Sequence, residues 1–281
     1  MRVLITGAGG QVGHELVRAF AGHDVVAATR DELDVADRAT VLGAVTTLHP
    51  DTVVHAAAFT AVDACEAESE RAYRVNAVGT RNVADAARRV GAHVIYLSTD
   101  YVFDGTKAAP YDEWDTPNPQ SVYGRSKLAG ELELAHDPAA TIVRISWVFG
   151  VHGANMVKTV LRLAGEHDTL QFVADQRGRP TAAADAADLV ARLAVERLGG
   201  VVHGTNQGEV SWFEFAQAVL ESAGLDPARV QPIATADLDP PRPAPRPANS
   251  VLDDTVLRLS GLPRLPHYRE SLDRVVATLR A

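Results

Sequence analysis

Cysteine is nearly missing from this chain: Cys65 is the single one among 281 residues. That excludes an intrachain disulfide and points to a reducing, cytoplasmic setting. No apolar run reaches membrane-spanning length, and the opening MRVLITGAGG is too short in hydrophobic residues for a secretion signal. A membrane partner is therefore not expected. Positive charge is in deficit as well, since 27 lysines and arginines face 36 acids, for a formal charge of -9. This excludes a nucleic-acid binder that works through a broad basic surface, though local basic patches for a phosphorylated ligand remain open. The ten histidines form no metal motif; the closest two, His49 and His55, do not share a helical face. Cys65 itself reads as a filler, because VDACEAE sets acids beside it that raise a thiol pKa. There is no internal repeat and no long low-complexity linker.

What is present is a rhythm. Short runs rich in Val and Ile alternate with longer Ala-rich segments of helical pattern: RVLIT then QVGHELVRAFA, DVVAAT then RATVLGAVTTL, TVVHAAA then AYRVNAVGTRNVADAARRV, HVIYLST then SVYGRSKLAGELELA. This is βαβ order, and it predicts an α/β fold, a Rossmann-type doubly wound parallel sheet. After TIVRISWVFG the rhythm loosens, with helical patterns near 155–166 and 182–198, which predicts a smaller C-terminal α/β lobe interleaved with the sheet. The proline-rich DPPRPAPRPANS has the composition of a stiff surface connector. Its sharper reading sets Arg242 and Arg246 toward an anion.

Gly7, Gly10 and Gly13 fall between the first strand and the first helix, where a glycine pattern is informative. The turn is tight and its backbone must approach a pyrophosphate, whose charge rests at the positive end of the helix. The second strand ends at Thr29 and Arg30, where an acid would accept the ribose 2′-hydroxyl of NAD; a cation there suits the 2′-phosphate of NADPH. Asp34 and Val35 are placed to flank an adenine, with a helix N-cap as the competing role of this stretch. Ala56, Ala57 and Ala58 offer small side chains at a strand end where a cofactor can lie close to backbone.

Tyr123 and Lys127 in YGRSK are four apart, on one face of a helix. Thr99 follows the strand HVIYLS and faces the crevice at the strand ends. Together they make a carbonyl-reduction set: Lys127 lowers the phenol pKa, Tyr123 supplies a proton, and Thr99 hydrogen-bonds the developing oxyanion.

At these residues the chain resembles the extended short-chain dehydrogenase/reductases, and more narrowly the dTDP-4-dehydrorhamnose reductase family. GAGGQVGHEL, HAAAFTAVDACEAE, VNAVGT, LSTDYVFDG, VYGRSKLAGE, ISWVFG, DQRGRPT and RPANSVLD all stand in the family's order. The resemblance implies a dinucleotide-binding domain over 1–150 and mainly a substrate-binding lobe over 151–281. It implies cofactor contacts at Gly10, Gln11, Val12, Asp34, Val35, Ala56 to Ala58, Tyr123 and Lys127, with Asn76 supporting a water path to the lysine. It sets the sugar against Thr99, Asp100 and Trp147, and the nucleotide diphosphate against Arg246. The cofactor implied is NADPH, with NADH the alternative, and the partner is a dTDP-sugar. Some members dimerise around magnesium; Glu15 matches one ligand position, but around Asp185 the neighbours are alanines, so a magnesium-free monomer is expected, with a homodimer the alternative. The activity implied is reduction of the C4 ketone of dTDP-4-dehydro-β-L-rhamnose. The alternatives are a 4-keto-6-deoxyhexose reductase of an antibiotic sugar pathway and a non-catalytic dinucleotide-binding regulatory subunit.

Overall fold

The computed structural model describes residues 1–281. Five strands rich in β-branched residues, β1 (Arg2–Thr6), β2 (Asp24–Ala28), β3 (Thr52–His55), β4 (His93–Thr99) and β5 (Ala140–Ile145), are joined by a sixth, Gly200–His203. All pair in parallel, in the order sixth strand, β5, β4, β3, β1, β2. Every residue of β3, β4 and β5 is buried, as a parallel sheet covered on both faces requires.

The period of two decides which face each side chain serves. Val3, Ile5, Val54 and Ile95 point toward α1 (Gln11–Ala19) and toward a later helix, Ala183–Glu196. Leu4, Val53, Val94 and Tyr96 point the other way. There they meet α2 (Arg38–Leu48) and the helices that follow in the chain. These are α3 (Val62–Ala67), α4 (Ser69–Tyr73), a π-helical turn at Arg74–Val78, α5 (Gly79–Val90) and α6 (Val122–Leu134), of which α5 and α6 complete that layer. The C-terminal half supplies both the sixth strand and the Ala183–Glu196 helix to the sheet and its cover, so the two halves interleave. The remaining core is a separate cluster of Phe149, Phe215, Tyr268 and aliphatic neighbours. It lies among α7 (Met156–Glu166), α9 (Trp212–Ser222) and α11 (Tyr268–Arg280), with α8 the Ala183–Glu196 helix and α10 the short Thr255–Leu259. No helix is long and apolar enough to cross a membrane.

β1 has β2 on one side and β3 on the other, so the chain reverses direction across the sheet there and opens a crevice at the carboxyl ends of β1 and β3. Thr6 and His55 close its floor, their Oγ1 and Nδ1 atoms 2.8 Å apart. Gly7 follows at φ +71°, and a Cβ there would lie 2.6 Å from the Ala57 nitrogen. Only glycine permits that approach. Gly13 has no room either, because a Cβ would strike the Gly7 carbonyl, whereas Gly43 in α2 faces open space. Gly13→Ala is therefore expected to cost roughly 2–4 kcal/mol in urea unfolding, and Gly43→Ala to stabilise by about 0.5–1 kcal/mol. Equal effects at the two positions would contradict this account of the turn.

Candidate active site

The crevice is a trough in two adjoining parts of about 400 and about 380 Å³, which share Gly7, Gly10, Ala56 and Ala58. The residues at its centre lack bulk. Gly10 also caps α1 without a side chain, leaving the N–H groups of the first helical turn for a ligand. A cradle that a single Cβ at Gly7 would fill, at the positive end of a helix, fits the pyrophosphate of a dinucleotide.

The outer part of the trough carries Arg30, Asp34, Val35 and Ala57. Arg30 is exposed and pairs with no acid of the chain. The N-cap of α2 is Asp37, which accepts from Ala39 and Thr40, so Asp34 is free of that role; it accepts only from the Ala36 N–H at 3.0 Å. Val35 is buried against Gly79, which explains the glycine at the start of α5. Two residues here escaped the sequence reading. Glu32 turns back to accept from the Thr29 N–H and hydroxyl at 2.8 and 2.7 Å, and Arg71 lines the wall while lying over the Phe59 ring at 4.3 Å.

The inner part holds Gln11, Val12, Thr99, Asp100, Tyr123, Lys127 and Trp147 together. Ser121 caps α6 by accepting from the Gly124 N–H at 3.1 Å, and a Cβ at Gly124 would run into the Tyr101 carbonyl. The first turn of α6 is thus seated hard against the turn that follows β4. Lys127 is 2 % exposed; its ammonium donates to the Leu97 carbonyl at 2.6 Å and stands 4.0 Å from the Tyr96 ring centroid. Burial pushes it down to about 7, against the pull of Glu131. The expectation that Lys127 draws the Tyr123 phenol down is corrected here. Burial holds Tyr123 above its ordinary value, and the opposing influence is the Thr99 hydroxyl, not the lysine. The Lys127 ammonium is engaged instead by the Leu97 carbonyl and the face of the Tyr96 ring.

Thr99 donates to Asp100 Oδ1 at 3.0 Å and accepts from the Tyr101 N–H at 3.2 Å. Asp100 Oδ2 has no partner although it is buried. Trp147 adopts φ +48° and stacks on Trp212, ring centroids 3.5 Å apart. A Cβ at Gly178 would strike the Trp147 ring, which accounts for the glycine of DQRGRPT. Trp212 lines the trough and was not singled out in the sequence; its only local signal was a helix start, with Ser211 and Glu214 forming a capping box.

Two expected site residues line neither part. Asn76 is fully buried and brackets Phe59, accepting from its N–H at 2.8 Å and donating to its carbonyl at 3.1 Å and to Ser126 Oγ at 2.9 Å. It lies behind the wall that Ala58 and Phe59 form. Arg246 pairs with Asp63 at 2.7 and 2.8 Å and sits beside Tyr101 at the rim. Cys65 is buried, its thiol pushed up to about 11 by burial, with Glu66 and Glu68 adding to this.

Burial also pushes Asp100 up to about 6 from 3.8. Between those values the folded chain binds more protons than the unfolded one, so this residue's contribution to stability falls as pH rises through the window. Asp100→Asn is expected to unfold like the parent near pH 4 and to gain up to about 3 kcal/mol above pH 6, as read by urea titrations across that range. A gap that does not change with pH would contradict the assignment.

A reductase of Mycobacterium tuberculosis, dTDP-4-dehydrorhamnose reductase, is 43% identical over 98% of this chain and 92% of its own. The dTDP-4-keto-6-deoxy-D-glucose reductase of Streptomyces niveus is 38% identical over 100% and 98%. The crystal structure of dTDP-4-dehydrorhamnose reductase from Bacillus anthracis in complex with NADP superposes with a TM-score of 0.94 at 39% identity, covering 99% of both chains. A family model, the RmlD substrate binding domain, matches residues 1–281, and the chain belongs to that family.

Proposed function

We propose that this protein reduces the C4 ketone of dTDP-4-dehydro-β-L-rhamnose to the alcohol of dTDP-β-L-rhamnose. The observation that carries the reading is the meeting of Thr99, Tyr123, Lys127 and Asp100 at the inner end of a trough whose middle is a glycine cradle. NADPH, when bound, supplies the hydride that reduces the carbonyl carbon. Gly7, Gly10 and the first turn of α1 hold its pyrophosphate, and Arg30 meets the 2′-phosphate. Asp34 and Val35 flank the adenine, while Ala56 to Ala58 let the cofactor lie against backbone. Asn76 keeps that wall in place.

As the carbonyl electrons move to oxygen, Tyr123 gives its proton to that oxygen. The high phenol pKa set by burial keeps the proton on Tyr123 until an alkoxide, a stronger base, asks for it. Thr99 swings its hydroxyl from Asp100 to the developing oxyanion. Lys127 orients the ribose side of the site, held there by its bond to the Leu97 carbonyl. Asp100, with an oxygen to spare, accepts from a sugar hydroxyl, and Trp147 walls the hexose with Trp212 behind it. Arg246 meets the diphosphate.

Tyr123→Phe tests this directly: NADPH binding by fluorescence should stay within about twofold, while kcat falls by roughly a hundredfold or more. Unchanged turnover would remove Tyr123 as the acid. Arg30→Ala should weaken NADPH about tenfold and leave NADH, the second cofactor, untouched. Equal losses would place Arg30 outside the site.

The reading also carries a cytoplasmic, magnesium-free monomer with no nucleic-acid partner. It is supported by the protein groups that already satisfy the two acids in question. Glu15 accepts from Arg18 at 2.8 Å. Asp185 accepts from Asn206 at 2.7 Å, from Arg274 at 3.2 Å and from Ser271. Light scattering with elemental analysis should return a monomer without magnesium; a magnesium-bearing dimer would overturn this part.

A further inference from the structure

The motif FTAVDACE runs from the wall of the trough at Phe59 into α3. Thr60 and Val62 line the inner trough, but the polar side chains of α3 point elsewhere. Asp63 receives Arg246 Nη1 at 2.7 Å and Nη2 at 2.8 Å, the Ala244 N–H at 3.1 Å, and has Arg242 Nη1 at 3.8 Å. Within the proline-rich strap, the bonds from the Ala244 N–H and the Arg246 guanidinium converge on this one carboxylate, while the strap's far end is held by the Ala248 carbonyl, which accepts from the Arg177 N–H at 2.8 Å. Proline has no N–H to give, so a strap built of it must be anchored by side chains.

The rest of α3 faces the catalytic helix. Glu66 Oε1 accepts from the Val122 N–H at 2.8 Å, satisfying a first-turn donor of α6 one residue before Tyr123. Cys65, Val122 and Tyr123 belong to one small apolar cluster. Tyr101 completes the link: it lies beside Arg246 on one side, and its ring meets that of Tyr123 edge-on at 5.6 Å on the other.

Beyond the bonds to Asp63 and the Ala244 carbonyl, Arg246 has an Nη2–H and its Nε–H, with Tyr101 the neighbour that also engages the guanidinium. With Asp63 negative and Arg242 and Arg246 both positive, the rim of the trough is locally cationic on a chain of charge -9. An isolated surface ion pair would earn no role, because such pairs contribute little. This pair is bidentate, its arginine side chain is 14 % exposed, and the same carboxylate also holds the strap backbone at Ala244.

We propose that α3 is a bracket between substrate and catalyst. Asp63 is a positioning residue that fixes Arg246 and the strap for the diphosphate of the nucleotide sugar, and Glu66 is a positioning residue that fixes the first turn of α6 and with it Tyr123. The proposal rests on the reading of a dTDP-sugar as substrate. Arg246 presents its remaining N–H groups from a fixed place, so the anion does not have to order a loop when it binds.

The test is calorimetric titration of the full-length protein with dTDP and, separately, NADPH, alongside steady-state kinetics. Asp63→Asn should weaken dTDP and raise KM for the nucleotide sugar about tenfold, with the NADPH Kd and kcat within about twofold. Arg246→Lys, which keeps the charge and loses the fork, should weaken dTDP by a similar factor. Glu66→Gln should lower kcat about tenfold and leave dTDP affinity within about twofold. Three results overturn the bracket. One is dTDP binding by Asp63→Asn that matches the parent. Another is an equal loss of dTDP, NADPH and kcat, the mark of a merely structural pair. The third is a Glu66→Gln variant with unchanged kcat. A parent protein that binds no dTDP overturns the substrate reading and this inference together.

Discussion

The burial of the ionisable side chains around the inner trough is the constraint on which the rest of the site depends. His55, Asp100, Tyr123 and Lys127 converge at the ends of β3, β4 and the start of α6, and burial is the largest influence on all four. Each is displaced toward its neutral form: Asp100 to about 6, Lys127 to about 7, His55 to about 3, and Tyr123 upward. Such displacement costs stability, and the sheet sustains it by burying whole strands on both faces. In return, charge that develops on a substrate is met by dipoles and protons already in place.

Much of this was legible in the sequence because it depended on local spacing or on the absence of a side chain. The parallel sheet followed from short β-branched runs alternating with Ala-rich helices. Gly7 and Gly13 were readable since a turn at the first strand and helix leaves no room for a Cβ. Tyr123 and Lys127 declared themselves by their spacing on one helix. What those two residues do to each other was not legible. The pKa of a phenol depends on what surrounds it in three dimensions, and here a carbonyl of β4 and the Tyr96 ring claim the lysine.

Long-range pairing hid the rest. Trp212 reached the trough only because a second aromatic, Trp147, is turned into φ +48° to stack on it. Asn76 has the residue type of a site polar group, yet its hydrogen bonds go to the backbone of Phe59. The strap between 239 and 248 could be recognised as stiff, but its anchor at Asp63 lies 183 residues before Arg246. No periodicity records such a contact. The C-terminal half therefore contributes to the site through a few ion pairs and stacked rings, while the N-terminal half contributes the glycine cradle and the side chains of Thr99, Asp100, Tyr123 and Lys127.

The central claim is that hydride reaches C4 of a sugar already epimerised to the L configuration. The most direct measurement follows NADPH oxidation on adding dTDP-4-dehydro-6-deoxyglucose, with and without the matching 3,5-epimerase, and identifies the product sugar. The account predicts oxidation only when the epimerase is present, with dTDP-L-rhamnose as product. Equal turnover without the epimerase would instead assign the site to a ketoreductase of another deoxysugar, and tight cofactor binding with no turnover in either case would contradict the account outright.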